Sequence, residues 1–161
     1  MSRLCPCHSK KRYADCCGPL HRGAREAATP EELMRSRYSA FALGEVDYLA
    51  KTLSKDHPDR TESAAAEYRR ARENQRFLDL CIIHTSIDGE VGEVLFYARI
   101  FERGRDCSFV ELSAFVREDG AWRYASGVMV ETKDLPADPR KMTREEVLAV
   151  TGTRRSVRPS S

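Results

Sequence analysis

The chain of 161 residues contains six cysteines, and four of them fall within the first seventeen positions. Their order is Cys-Pro-Cys, eight intervening residues and then Cys-Cys, which gives Cys5, Cys7, Cys16 and Cys17. A short loop can wrap four thiolates tetrahedrally around one Zn²⁺, which accepts four sulfur ligands without redox chemistry. A vicinal thiol pair or a redox disulfide is the alternative, but it leaves the Cys-x-Cys pair without a role. The spacing therefore predicts one structural zinc ion with no open coordination position for a substrate.

The other candidate sulfur and imidazole ligands lie outside this set of four. His8 and His21 are close enough in sequence to substitute as ligands. Four sulfurs already complete a closed site, however, so we expect both side chains to be exposed to solvent. Cys81 and Cys107 lie inside predicted strands, where a free cysteine usually acts as a small buried apolar residue. We assign neither of them a role in metal binding.

The loop between the cysteine pairs carries a cluster of positive charge. Lys10, Lys11 and Arg12 offset the charge of a tetrathiolate site, and together with Tyr13 they form a candidate surface for an acidic protein or for nucleic acid. The formal net charge of the whole chain is only +2. This balance excludes a bulk polyanion binder, which usually has a large basic excess. A solvated loop without a partner is the alternative for these four residues.

The elements that must position these groups follow from the periodicity of apolar residues. Residues 1–26 lack such a period, so metal binding rather than burial must order them. Thr29-Pro30-Glu31-Glu32 combines a helix N-cap, a proline at the first helical position and a capping-box glutamate. Gly44 is a plausible helix stop. Apolar residues at helical spacing then predict three helices, at about residues 30–43, 45–54 and 62–76.

Beyond residue 76 the apolar period falls to two, which is typical of strands. The pattern predicts four strands, at about residues 77–87, 91–101, 107–118 and 121–130. The connections contain Asp88-Gly89, Arg103-Gly104-Arg105 and Asp119-Gly120, which are residues suited to hairpin turns. Helices followed by an antiparallel meander make this an α+β fold.

The chain divides into three predicted segments: a metal module at 1–26, an α+β domain at 27–131 and an extension at 132–161. In the extension, Thr143-Arg144-Glu145-Glu146 repeats the capping-box signature of a short helix, and the arginine-rich end is expected to be a basic disordered tail. No apolar run reaches the ~20 residues of a membrane span, and the first residues lack the apolar region of a signal peptide. The cysteine usage favours the reducing cytoplasm.

The run from Cys5 to Gly18 resembles the SEC-C motif, known as the zinc-binding C-terminal tail of the preprotein translocase ATPase. This resemblance implies that the four cysteines are the metal ligands. His8 stands where the motif usually has glycine, so we expect a change in the turn of the loop but not in the set of ligands.

The blocks Leu33–Phe41 and Asp47–Leu49 resemble the bacterial YchJ-like family, which places a SEC-C motif before a nuclear-transport-factor-two-like domain. Weaker resemblance extends to residue 127. It implies a cone-like domain of about three helices packed on a curved four-stranded antiparallel sheet. The chain departs from the family at Ala114 and Ser126, and at Leu53 and Phe77, where tryptophans are common. These departures remove polar features of the pocket.

A fold of this kind implies a cavity between the helices and the sheet. Strict alternation puts Phe109, Glu111 and Ser113 on one strand face, so Glu111 would lie among aromatic residues and act as a general base if its pKa were raised there. The sequence favours instead a structural role, in which Glu111 forms an ion pair with Arg99 on the neighbouring strand or is solvated. The candidate cavity residues are Tyr97, Arg99, Glu111, Trp122 and Tyr124, with His84 as a further candidate.

Two arginines of the first predicted helix resemble a phosphate clamp. Arg35 and Arg37 are adjacent to a stripe of Met34, Tyr38 and Phe41 that should face the core. We therefore expect both arginines on the outer, solvated side of the helix or paired with Glu31 and Glu32.

The function most consistent with the sequence is that of a zinc-binding protein-interaction module rather than an enzyme. By resemblance, its partners belong to the export machinery, the chaperones or the ribosome, and an acidic protein surface is favoured over nucleic acid. The alternative is a small-molecule binding protein, or a minor enzyme, that uses the cavity of the α+β domain. A dimer through the outer face of the sheet is compatible with the fold, but no exposed apolar pattern requires one.

Overall fold

The computed structural model describes residues 3–135 and 137–152. The arginine-rich end, expected to be disordered, lies outside these residues. Within them the helices are α1 (Gly18–His21), α2 (Pro30–Leu43), α3 (Val46–Lys51), α4 (Ala64–Arg72) and α5 (Arg144–Gly152). The strands are β1 (Gln75–Asp88), β2 (Val91–Glu102), β3 (Arg105–Asp106), β4 (Phe109–Glu118) and β5 (Ala121–Glu131). Short 3₁₀ turns occur at Tyr13–Asp15, Thr132–Asp134 and Pro139–Lys141.

The four long strands form an antiparallel sheet in the order β1-β2-β4-β5, and the two-residue β3 pairs with the end of β2. This arrangement confirms the predicted α+β class and the meander. The turns after β2 and β4 have positive φ at two consecutive residues each, at Arg103-Gly104 and at Asp119-Gly120. Two consecutive residues with positive φ define the type of hairpin turn that suits the right-handed twist of paired strands.

Helix α2 begins and ends where its sequence signals predict. The Thr29 hydroxyl accepts a hydrogen bond from the Glu32 backbone N–H at 3.1 Å, and Pro30 occupies the first turn. Gly44 ends the helix with a φ of 83°, a conformation that glycine adopts without steric cost. Helix α5 has the predicted reciprocal cap, in which Thr143 and Glu146 exchange side-chain to backbone hydrogen bonds of 2.9 and 3.1 Å.

Two apolar layers cover the two faces of the sheet. Helices α2, α3 and α4 pack on one face, where the core includes Leu33, Leu49, Phe96, Phe115 and Trp122. On the other face, the segment with α5 covers Leu95, Tyr97, Val110, Leu112 and Val130 through Met142 and Val147. The described residues after 131 are thus part of the packing of the sheet.

Most boundaries match the predicted elements, with one clear difference. The third predicted helix, 62–76, is shorter than expected, because the chain enters β1 at Gln75 and pairs there with Glu102 of β2. Pairing along the sheet therefore overrides the helical preference of the arginine-rich segment. No helix in the described part of the chain is long and apolar enough to cross a membrane.

Candidate metal centre and buried cavity

The four N-terminal cysteines converge on one point. Their Sγ atoms all lie within 4.8 Å of one another, with 3.6 Å between Cys7 and Cys16 and 3.9 Å between Cys16 and Cys17. A tetrahedral ion with Zn–S bonds of about 2.3 Å places its sulfurs about 3.8 Å apart. Cys5, Cys7 and Cys17 are buried, whereas Cys16 is half-buried. The cluster therefore has the donor set, the spacing and the enclosure needed to hold a metal ion.

The charges on the sulfur atoms are compatible with a bound cation. Hydrogen bonds from the Cys17 and Cys5 thiols hold the pKa of Cys7 well below its usual range. Side-chain hydrogen bonds with Cys5 and Cys7 raise the pKa of Cys17 far above its usual range. One thiolate is thus favoured at the expense of its neighbours, because several negative sulfurs at this distance repel one another. A divalent ion removes that conflict and lets all four ligands deprotonate.

A small hairpin positions these ligands. Leu4 pairs with Arg12 in an antiparallel bridge, and the Cys5 N–H donates to the Lys11 carbonyl at 2.8 Å. His8 and Lys10 turn the chain with φ angles of 64° and 72°. His8 takes the left-handed conformation that glycine favours, and the four cysteines still converge around it.

The cysteine hairpin docks on helix α2 through a chain of polar contacts. The Tyr13 hydroxyl donates to His21 Nδ1 at 2.6 Å, and His21 Nε2 donates to the Ser36 carbonyl at 2.8 Å. Arg35 donates to the Cys7 carbonyl at 2.9 Å while pairing with Glu31. Burial lowers the pKa of His21, so this imidazole is neutral.

The contacts of His21 correct one expectation from the sequence. We expected an exposed side chain, but His21 is half-buried and packs against the ring of Tyr48 at 4.8 Å between centroids. Four sulfurs do complete the candidate metal set. The imidazole is instead required as a polar link between the hairpin and the body of the protein. His8 is exposed, as expected.

The basic cluster next to the metal centre is smaller than its sequence suggests. Lys10 and Lys11 are exposed, and so is Arg12, but the Arg12 guanidinium donates to Asp15 at 2.7 and 2.9 Å. Tyr13 is half-buried, and its hydroxyl is engaged by the imidazole of His21. The exposed cationic charge is therefore carried mainly by Lys10 and Lys11.

A cavity of about 190 Å³ lies between helices α2 and α4 and the sheet. Its polar lining includes Arg37, Glu111, Ser113 and Tyr124. Much of its apolar wall is aromatic and is formed by Tyr38, Phe41, Phe77, Phe96, Phe109 and Phe115. A carboxylate and a guanidinium in such surroundings need internal partners, because each loses its hydration on burial.

Glu111 finds its partners on the sheet. Its Oε2 accepts hydrogen bonds from the Ser113 hydroxyl at 2.6 Å and from the Tyr124 hydroxyl at 2.7 Å. Burial raises the pKa of Glu111, although these two hydrogen bonds oppose the shift. The expected ion pair with Arg99 does not form, because Arg99 is exposed on the opposite face of the sheet. The interpretation of Glu111 as an ion-pair partner of Arg99 or as a solvated side chain was therefore wrong.

Arg37 is also buried, which corrects its expected place on the outer side of helix α2. Its Nη1 donates to the Leu49 carbonyl at 2.7 Å and to Thr52 Oγ1 at 2.6 Å, and its Nη2 donates to the Tyr68 hydroxyl at 3.2 Å. The guanidinium also lies 4.9 Å from the centre of the Tyr124 ring. One side chain therefore ties helices α2, α3 and α4 together beside the cavity.

The other candidate cavity residues are dispersed. Tyr97 and Arg99 alternate away from the cavity, and Tyr97 packs in the layer covered by α5, with the Arg140 guanidinium over its ring. Trp122 belongs to the core on the helix side but does not line the cavity.

His84 is exposed on β1. Assigning Tyr97 and Arg99 to the cavity was wrong, since Phe96 and Ala98 of the same strand occupy that face.

One signal in the sequence points to the missed burial of Arg37. Arg37 lies three residues after Met34 and four before Phe41, so helical spacing already places it on the apolar face. Gly127 is required beside the carboxylate, because a Cβ atom there would lie 2.6 Å from the Tyr124 hydroxyl and would also collide with Glu111. No local pattern reveals this second contact, since it joins neighbouring strands.

The raised pKa of Glu111 predicts a pH-dependent effect of the isosteric substitution Glu111→Gln. A carboxyl group whose pKa is higher in the folded than in the unfolded protein holds its proton to a higher pH in the folded state. The stability that this group contributes is therefore lost as the pH rises above its pKa in the unfolded protein. The stability of Glu111→Gln relative to the wild type should therefore rise with pH, by up to about 1.4 kcal/mol per pH unit.

Urea unfolding of both proteins between about pH 4.5 and 8 measures this difference, because the groups that they share cancel. Glu118→Gln is the matched control, since the Glu118 carboxylate accepts a hydrogen bond from Ser54 outside the cavity and its pKa is lowered. A stability difference for Glu111→Gln that falls with pH would contradict the direction of the shift.

A cysteine cluster docked on a helix-covered antiparallel sheet defines the class of this protein. Residues 1–19 match the model of the SEC-C motif, and residues 29–127 match that of the middle, nuclear-transport-factor-two-like domain of YchJ. The second match spans more than half of the chain. The chain therefore belongs to the YchJ family, as its resemblance to that family indicated.

Two solved structures share this arrangement. A SEC-C motif containing protein from Rhodopseudomonas palustris is 38% identical, with a TM-score of 0.71 over 81% of this chain and 100% of its own. A SEC-C motif containing protein from Psychrobacter arcticus is 25% identical, with a TM-score of 0.64 over 83% of this chain and 87% of its own.

Proposed function

We propose that this protein binds one structural Zn²⁺ through Cys5, Cys7, Cys16 and Cys17, and that the ordered hairpin is a protein-interaction module. The convergence of four Sγ atoms within 4.8 Å of one another carries the first part of this proposal. Zinc suits the set because it takes four thiolates tetrahedrally and has no redox chemistry of its own. The reducing cytoplasm keeps such thiols available for the ion.

The exposed charge supports the second part of the proposal. Lys10 and Lys11 project from a turn that is tied to the metal ligands on both sides, so the ion would fix the position of both ammonium groups. A fixed cationic turn fits an acidic protein surface, and we place that surface on an export, chaperone or ribosomal component. Two exposed lysines are too few for the large basic face of a nucleic-acid module.

Metal analysis of the purified full chain tests the first part. We expect about one zinc per chain by inductively coupled plasma mass spectrometry, because a closed four-sulfur site binds a single ion. Purification in the presence of iron and copper tests selectivity by the same measurement. A stoichiometry well below one for every metal would contradict the proposal.

Charge reversal of the turn tests the second part. The double variant Lys10→Glu, Lys11→Glu should lose partners captured by the wild type, whereas Lys133→Glu, an exposed charge change far along the chain, should retain them. Both variants should still bind about one zinc, since neither changes a ligand. Identical sets of captured proteins from the two variants would refute an interaction role for the turn.

A further inference from the structure

The cavity has the size and the walls of a site for a small ring. Its volume is about 190 Å³. A dry protein cavity of about 150 Å³ lined by apolar side chains accepts benzene. The walls here contain several aromatic side chains, which pack favourably against another ring in offset or edge-on arrangements. The space therefore matches one six-membered ring with one or two small substituents.

One polar atom in the cavity wall lacks a protein partner. Both hydrogen bonds to the Glu111 carboxyl group go to Oε2, and no group in the described part of the chain hydrogen-bonds Oε1. The residue is only 6% exposed and lines the cavity. A carboxylate oxygen in the cavity wall that accepts no hydrogen bond from the protein is available to accept one from a ligand.

The charges around the cavity favour a neutral ligand. Arg37 and Glu111 line the same space and carry opposite formal charges; burial raises the pKa of Glu111, and the nearby Arg37 guanidinium opposes part of that rise. The Nη atoms of Arg37 already donate to the Leu49 carbonyl and to two hydroxyl groups. A cationic ligand would be repelled by the guanidinium of Arg37, and an anionic ligand would be repelled by the carboxylate of Glu111.

The cavity also has a route to solvent. Ala71 at the end of α4 is exposed and Gln75 at the start of β1 is half-exposed, and both line the cavity. A ligand can therefore enter between α4 and β1 without unfolding the sheet.

We propose that this cavity binds a neutral, single-ring molecule with a hydroxyl group, the ring against the aromatic walls and the hydroxyl hydrogen-bonded to Glu111 Oε1. A hydroxyl group both donates and accepts, so it pairs with this oxygen whether or not the carboxyl group is ionised. This site is independent of the metal centre and of any partner that the N-terminal hairpin recruits.

Three probes of similar size test the ligand class by NMR titration of the full-length protein. p-Cresol should bind at least about tenfold more tightly than toluene, which fills the same space without a hydroxyl group. Benzylamine, a cation at neutral pH, should bind more weakly than p-cresol. Equal affinities for p-cresol and toluene, a preference for benzylamine, or no binding of any probe to the folded protein would overturn the proposal.

Three variants locate the binding. Glu111→Leu should reduce the preference for p-cresol over toluene to less than about threefold, because the acceptor is lost. Ala98→Leu, which extends a cavity-lining side chain, should weaken the binding of both p-cresol and toluene at least about tenfold. This variant keeps the test valid if Glu111→Leu does not fold. Arg99→Gln, on the opposite face of the same strand, should leave both affinities unchanged. Unchanged binding in folded Ala98→Leu would place the probes elsewhere and refute the site.

Discussion

Replacing Cys17 by serine is expected to lower zinc affinity by more than about 100-fold and to unfold the N-terminal hairpin, while the sheet remains folded. Loss of a ligand should exceed the 10–100-fold cost of losing a group that merely supports one. Cys17 is 1% exposed, so its hydroxyl replacement would be a buried polar group without the ion. The hairpin contains few other buried apolar side chains, and its order therefore depends on the metal.

Hydrogen exchange and metal analysis measure the two halves of this result. The backbone N–H groups of Cys5 and Tyr13, bonded to the Lys11 and Arg3 carbonyls, should lose protection in Cys17→Ser. Amides of strand β2 should keep theirs. Removing zinc from the wild type with a chelator should reproduce this pattern.

Cys81→Ser is the matched control, because this free thiol on β1 lies outside the cluster. It should bind zinc like the wild type. If Cys17→Ser retained one zinc per chain and full protection of the hairpin, the four-cysteine site would be refuted.

Replacing Arg37 by methionine is expected to destabilise the fold by about 3–5 kcal/mol. Methionine retains much of the apolar volume but removes the donors that reach the Leu49 carbonyl, Thr52 and Tyr68. It also removes the positive charge that offsets Glu111, whose pKa should rise further. Urea unfolding at constant pH measures the loss.

Two matched variants separate charge from geometry. Arg69→Met removes an exposed arginine from α4 and should change stability by less than about 0.5 kcal/mol. Arg37→Lys keeps the charge but not the planar guanidinium that donates to several acceptors. Its stability should therefore lie between those of the wild type and Arg37→Met. A loss below about 1 kcal/mol for Arg37→Met would show that the buried guanidinium is not a structural link.

Glu111 provides a further check on this charge balance. Arg37→Met should cost less in a Glu111→Gln background, since the neutral amide needs no compensating charge. A double-mutant cycle isolates this coupling, and additive effects would indicate that the two charges do not interact.

The sequence by itself predicts most of the elements and the candidate metal ligands of this protein. The cysteine spacing lies within thirteen consecutive residues, so a local loop suffices to bring the thiols together. The Thr29 cap, the Gly44 stop and the Asp119-Gly120 turn involve only residues that are close together in the chain, which is why they were predictable. Alternation along β4 likewise places Glu111 and Ser113 on one face.

Only the tertiary structure decides which polar groups meet. Arg37 reaches carbonyl and hydroxyl groups 12 to 31 residues away in the chain, and His21 reaches Ser36 across the junction between hairpin and helix. Tyr97 and Arg99 were misplaced because alternation shows that two faces exist, not which one the helices cover. Burial of a charge depends on partners brought from distant segments, and local sequence patterns carry no information about those partners.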